Sequence, residues 1–219
     1  MKASICLVIV LLAVSTIAQQ GCDPSQYDSV RQCYSKFFKN YKLTLGADNS
    51  FPSYEDFDAL RGKDKSGLNN LGMARVCVFQ NSLSDCIGPN SVCINPTDLL
   101  KVFNVDSKYA YSWIEDFFMN NYECFTEYKY TMNNFYCLQT VRIIGKDKLF
   151  QCKYQLDVDM NNDICQAEAS YATCMMSVYE SYCGKDAGVY TCNVVKTGVE
   201  HALPQCTSNL ISCPKYSFA

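Results

Sequence analysis

The chain of 219 residues has one histidine, one tryptophan and no C-x-x-C pair. Each scarcity removes a class of function. Catalysis near neutral pH most often uses a histidine, and a lone His201, in VEHALP, leaves no second imidazole for a zinc site. Without C-x-x-C, a structural cysteine–zinc site is not expected either. The net charge is −3 with no run of basic residues, which argues against nucleic acid and anionic membrane surfaces as partners. Beyond the first eighteen residues no apolar stretch is long enough to span a bilayer. The tail after Cys213, PKYSFA, carries no lipid-anchor signal. Asn95-Pro96-Thr97 has the outline of a glycosylation site, but the central proline excludes it. Strand signals are few: VRII at 141–144 and VYTCNVV at 189–195 are the best β-branched runs, and neither has a hairpin turn beside it.

Cysteine, by contrast, is abundant, at 15 residues. The chain opens MKASICLVIVLLAVSTIAQQG, with Lys2 as a positive start, an apolar run from Ile5 to Val14, and small Thr16 and Ala18 before a cleavage point. That is the pattern of a secretory signal peptide over 1–18, which would take Cys6 with it. The remaining 19–219 is read as one secreted domain, and the product is expected to be soluble and extracellular. Fourteen cysteines stay: Cys22, Cys33, Cys77, Cys86, Cys93, Cys124, Cys137, Cys152, Cys165, Cys174, Cys183, Cys192, Cys206 and Cys213. An even, dense set in a secreted chain reads as a disulfide framework of about seven bridges. Such a set can be connected in more than ~10⁵ ways, so the pairing is not deducible from spacing.

Helical patterning dominates. Asp23 and Pro24 start a helix carrying Tyr27, Val30, Tyr34, Phe37, Phe38 and Tyr41, expected to end at Gly46. A short helix is expected from Ser53, followed by an exposed loop at 61–67, RGKDKSG, where a nick site or mobile lid would lie. Helices are also expected over 68–87, from Asn95-Pro96 to Phe103, from Asp106 through Trp113 to Phe125, and over 135–144. Residues 146–156 are mixed. The last helices are expected at 164–183 and about 187–202, the latter stopped by Pro204. The fold class that follows is all-α, with several helices cross-linked by disulfides. Trp113 is expected to anchor the core.

The stretch Cys165 to Cys192 organises this reading: four cysteines recur with eight residues between neighbours. On a helix, nine residues advance about 13.5 Å and turn about 900°, whereas a disulfide needs Cα atoms within about 7 Å. Cys165, Cys174 and Cys183 are therefore expected to pair elsewhere and never with one another. The same geometry forbids Cys77–Cys86. This helix is expected to be the central element, with Ala172, Met175, Met176 and Tyr179 facing the core. VCVFQNSLSDC at 76–86 shares its cysteine gap with ICQAEASYATC at 164–174, a pattern given by a duplicated helical unit or by chance.

One segment has metal-loop spacing. In DVDMNNDICQAE, Asp157, Asp159, Asn161, Asp163 and Glu168 match EF-hand ligand positions, with Asn162 replacing the turn glycine. No partner loop exists, Lys153 occupies an expected apolar position, and Cys165 falls inside the loop. The reading preferred is a polar loop whose side chains cap the next helix. No metal or other cofactor is expected. There is also no G-x-S-x-G elbow, and the C-C-x-x-H-D core of secreted phospholipases is absent. His201 is expected at a helix surface or C-terminal dipole position rather than in a catalytic site.

The tail CMMSVYESYCGKDAGVYTCNVVKTGVEHALPQC, with its evenly spaced cysteines and Tyr182-Cys183-Gly184 turn, resembles nematode secreted cysteine-rich families. The most similar are the twelve-cysteine domain of unknown function nineteen and the chondroitin-proteoglycan-four-type domain. The resemblance implies a secreted, mostly helical, disulfide-bonded module with no established activity. Chondroitin-bearing relatives attach chains at Ser-Gly sites near acidic residues, and here only Ser66-Gly67, close to Asp64, fits. The function expected is a non-enzymatic extracellular module that binds another extracellular protein or a matrix component. The alternative is a secreted hydrolase. A hydrolase calls for a deep pocket with convergent polar groups, and a binding module for an exposed Tyr/Phe patch.

Overall fold

The computed structural model describes residues 21–67 and 69–217. The signal-peptide reading of 1–18 lies outside them. Among the described residues there is no strand and the regular structure is helical, so both β-branched runs are helix. Aspartate and proline open the first element as expected: Asp23 accepts from the Ser25 amide and starts a 3₁₀ turn that leads into α1 (Tyr27–Lys39). This helix stops at Asn40, short of Gly46. Lys42 takes a positive φ of 60°, and the chain folds back so that Leu43 and Leu45 still reach the core.

Ser53 caps α2 (Tyr54–Lys65) by accepting from the Asp56 amide. The helix continues through the segment expected as an exposed loop, and Arg61 and Lys65 are buried. A nick site or lid at 61–67 is therefore corrected. Next come α3 (Leu71–Ile87), ended by Gly88, and α4 (Pro96–Val102), capped by Asn95. The chain then forms α5 (Ser107–Asn121), a π turn at Tyr122–Thr126 and α6 (Tyr128–Asn133). Phe125, on that wider turn, is exposed. The second half consists of α7 (Phe135–Ile144), α8 (Lys146–Asp159), α9 (Ile164–Cys183) and α10 (Lys185–Ala202). Helix α8 replaces the mixed reading of 146–156.

Two large apolar clusters fill most of the interior, and a small third gathers Met73, Cys77, Cys124 and Phe135. The first is aromatic: Trp113 packs within 5.5 Å of Phe38, Phe51, Tyr54 and Phe57, ring centre to ring centre. The second gathers Leu138, Val141, Val178, Tyr179, Tyr190 and Val194. Helix α10 threads both: its first half lies in the second cluster and Val195, Val199 and Ala202 lie in the first. It packs on α9 along one side and on α5 along another.

The cysteine ladder behaves as its geometry requires. Cys165 pairs with Cys206, Cys174 with Cys152 and Cys183 with Cys137. Cys77 pairs with Cys124 and Cys86 with Cys33, and Cys22–Cys93 and Cys192–Cys213 complete seven bridges. The centrality expected of α9 is corrected. Gln166, Ser170, Thr173, Ser177 and Ser181 form an exposed stripe along it, whereas α10 is buried along most of its length. At about 100° per residue, the ladder cysteines fall on the two flanks of α9's buried face. Ala172 and Tyr179 are buried in that face; Met175 packs partly buried against both clusters, and Met176 lies at its edge.

The bridges also repeat an order. Among Cys22, Cys33, Cys77, Cys86, Cys93 and Cys124, the first pairs with the fifth, the second with the fourth and the third with the sixth. With Cys192 and its partner Cys213 set aside, Cys137, Cys152, Cys165, Cys174, Cys183 and Cys206 pair in the same order. Six cysteines allow about 15 connectivities, and both sets take the same one.

Gly184 ends α9 with φ of 86°, a conformation that favours glycine. Gly188 lets α10 approach α9: a Cβ there would lie 2.9 Å from Glu180 Cβ and 3.1 Å from the Met176 carbonyl oxygen. Gly188→Ala should cost ~1–3 kcal/mol through overpacking, against a helix-propensity gain of at most ~1 kcal/mol. The expected outcome is a melting temperature lower by several degrees, at about 2–4 °C per kcal/mol. A raised melting temperature would show that the two helices do not meet closely there.

Candidate functional site

The polar groups that matter are placed by helical spacing. On α2, Arg61 and Lys65 are four residues apart. On α5, Asp116 and Asn120 are four residues apart and share one face, and Glu123 follows on the π turn. The two faces meet. Arg61 pairs with Asp116, both nearly fully buried, and its Nη2 donates to Asp58 at 3.2 Å. The Arg61 guanidinium also lies 4.7 Å above the Phe57 ring. Lys65 Nζ donates to Glu123 Oε2 at 2.6 Å. Tyr190 donates to the other Glu123 oxygen at 3.3 Å. Burial alone would push Glu123 up, but Lys65, Arg142 and Arg61 outweigh it and hold the carboxyl below its ordinary value.

Beside these pairs opens a cavity of about 730 Å³, lined by α2, α5, α8, α9 and α10, with Arg142 from α7. That size suits a small ligand. Among the described residues six carboxylates and four cationic side chains line it. Most are committed to one another: Arg61 to Asp116 and Asp58, Lys65 to Glu123, and Lys153 to Asp157 at 3.0 Å. Arg142, itself exposed, has its guanidinium near Tyr179 and Glu123, which favour its charged form. Two carboxyls remain without an ion pair or hydrogen bond, Glu115 on α5 and Glu168 on α9. Glu168 is only 4% exposed. Burial, with the neighbouring Glu168 charge, pushes Glu115 up to about 8; burial pushes Glu168 up to about 7. Tyr54, Tyr109 and Tyr171 supply aromatic wall.

The metal-loop spacing at 157–168 does not close into a loop. Asp157 and Asp159 lie in the last turn of α8, where Asp157 pairs with Lys153 and Asp159 accepts from Gln155 at 2.9 Å. The Asn161 amide donates to the Asp157 carbonyl. Asp163 caps α9, accepting from the Cys165 and Gln166 amides at 3.0 Å, which is the capping role read from the sequence. Glu168 is carried away on α9 to the cavity. His201 is exposed near the end of α10, its Nδ1 2.8 Å from the Thr197 carbonyl oxygen and its ring stacked on Phe118. Ser66 is exposed at the end of α2, where it donates to the Gly62 carbonyl. On the outer face of α8, Phe150 and Tyr154 are exposed with rings 6.4 Å apart.

Of the cavity carboxyls only Asp157 and Glu168 are singled out by the sequence, both as calcium ligands. A signal was present. Asp116 and Asn120 on α5, and Glu123 on the π turn after it, follow Trp113 at core spacing, and a polar group at a core position implies a buried partner. No protein-family model, no curated protein and no solved structure matches the chain.

The unpaired carboxyls set a pH dependence. Both bind a proton more tightly in the fold than at their ordinary value of 4.5. Between those values the folded state holds more protons than the unfolded one, so stability falls as pH rises. The contribution is fully present below about 4.5 and lost as pH passes about 8. Melting of the oxidised protein is expected at a lower temperature at pH 8.5 than at pH 5, with the slope reduced in Glu115→Gln and Glu168→Gln. A melting temperature that rises over this interval would contradict the assignment.

Proposed function

We propose that the chain is a secreted, disulfide-stabilised, non-catalytic module that binds a small extracellular ligand in the cavity between α2, α5, α8, α9 and α10. One observation carries the reading: a ligand-sized hollow keeps two carboxyls, Glu115 and Glu168, without an ion pair or hydrogen bond while most other charges facing it are ion-paired. Buried ionisable groups are costly unless something pairs with them, and a bound ligand is what such a site lacks. The exposed Phe150–Tyr154 pair on α8 is small beside it as a binding surface. Seven bridges support an oxidising, extracellular setting, as does the leader at 1–18. Among the described residues no helix is long and apolar enough to cross a membrane. Kinship with the nematode secreted families rests on the cysteine ladder.

The hydrolase reading draws on one specific observation. With Glu115 at about 8 and Glu168 at about 7, one holds its proton and the other has lost it near pH 7.5, the division of labour of a general acid and base. Thermal shift against a panel of small cationic, neutral and anionic compounds, with each compound assayed afterwards, separates the two. Binding predicts that one charge class raises the melting temperature by several degrees and is recovered intact. Consumption that is lost in both Glu115→Gln and Glu168→Gln would establish the hydrolase instead. No shift by any class would overturn the cavity as a site.

A further inference from the structure

The charge distribution in the cavity narrows the ligand class, an inference that rests on the cavity being a binding site. Three of the four cationic side chains there are ion-paired, although Arg61 Nε and Nη1 have no hydrogen-bond partner and Arg142 is in no ion pair among the described residues. Arg61 and Lys65 hold Asp116 and Glu123, and Lys153, on the exposed side of α8, is paired with Asp157. An anion entering would compete with these carboxylates or be left to Arg142 and the unpartnered Arg61 nitrogens. Glu115 and Glu168 have nothing to displace. Glu115 on α5 and Glu168 on α9 both line the cavity, close enough that the Glu168 charge acts on Glu115, and Glu168 is more than nine-tenths buried with no hydrogen-bond partner. Around them are aromatic and apolar walls, including Tyr171, Leu156 and Val199. Two carboxylates supply too few oxygens for calcium, which takes about 6–8, and among the described residues no group of three or more acidic, histidine or cysteine side chains is placed to hold a metal ion. A carboxylate pair against tyrosine rings suits a cation with an apolar body, which gains both charge pairing and ring contact.

We propose that the cavity takes a small organic cation, a protonated amine with an apolar or aromatic body, whose ammonium is paired by Glu115 and Glu168. Binding then depends on pH. The groups that face the pair are Asp116 from its own helix α5, Tyr171 from α9, and Lys153 and Asp157 from α8. Of these, Asp116 and Asp157 are tied to Arg61 and Lys153. The pair itself changes charge between pH 6 and 8.5, as the raised Glu115 and Glu168 values require. Amine affinity should rise across that interval, and binding at pH 7 should release protons.

The test uses three isosteric probes on the oxidised full-length secreted protein: benzylamine, benzyl alcohol and benzoate. Calorimetry in two buffers of different ionisation enthalpy reads affinity and protons released. The proposal expects benzylamine to bind at least tenfold more tightly than the other two. It also expects proton release at pH 7, and at least a tenfold loss in Glu115→Gln or Glu168→Gln. Removing an unpaired buried charge should leave folding intact, and thermal melting of each variant checks this. Tighter binding of benzyl alcohol or benzoate, or amine binding unchanged in both variants, would overturn the cation while leaving the cavity a binding site. If no probe binds and the wider panel of compounds also fails to shift melting, the binding reading falls with it.

Discussion

A rigid α-helix cannot bond cysteines nine residues apart, and this constraint shapes the structure. Each step along α9 carries the sulfur about 13.5 Å and to the opposite flank, so every ladder cysteine must fix the helix to something else. Cys183 ties it to α7, Cys174 to α8, and Cys165 to the turn after α10. Cys77 and Cys86 do the same for α3 with the π turn after α5 and with α1. The flanks of α9 are pinned, its polar stripe faces solvent, and its buried face is pressed onto α10. Helix α10 then becomes the spine that joins the two apolar clusters. The repeated order of pairing shows one solution to the same constraint used in both halves of the chain.

Cross-links of this density also explain how the fold carries a polar hollow. Buried ion pairs such as Arg61–Asp116 and Lys65–Glu123 are weak sources of stability, because desolvation offsets their attraction. Glu115 and Glu168 add cost without a partner. A native bridge in a small secreted domain contributes ~2–5 kcal/mol, against a whole-domain stability of ~5–15 kcal/mol. Bridges act largely on the unfolded chain, so they can offset the hollow without filling it. The unpaired Glu115 and Glu168 are accordingly found where the framework is covalent.

Local chemistry was legible where a single residue decides it. Ser53, Asn95 and Asp163 cap the helices they were expected to cap, Trp113 anchors the aromatic cluster, and the bounds of α9 follow the cysteine ladder. What tertiary contact decides was not legible. RGKDKSG reads as solvent-exposed because its charges outnumber its apolar groups, yet Arg61 and Lys65 meet carboxylates from a helix some fifty residues away. Helix α8 lacks a strong apolar periodicity, since Phe150 and Tyr154 lie on its outer face. The exposed stripe of Gln166, Ser170, Thr173, Ser177 and Ser181 was readable at helical spacing, and it already placed α9 at the surface rather than the centre.

The central claim is that α9 is one continuous helix fixed at its flanks, with its cysteines bonded outward. Mapping the disulfides of the oxidised protein by proteolysis without reduction and mass spectrometry tests it directly. The account predicts linked peptides joining Cys165 to Cys206, Cys174 to Cys152 and Cys183 to Cys137. A linked peptide joining any two of Cys165, Cys174 and Cys183 would mean that the helix breaks between them and would contradict the account.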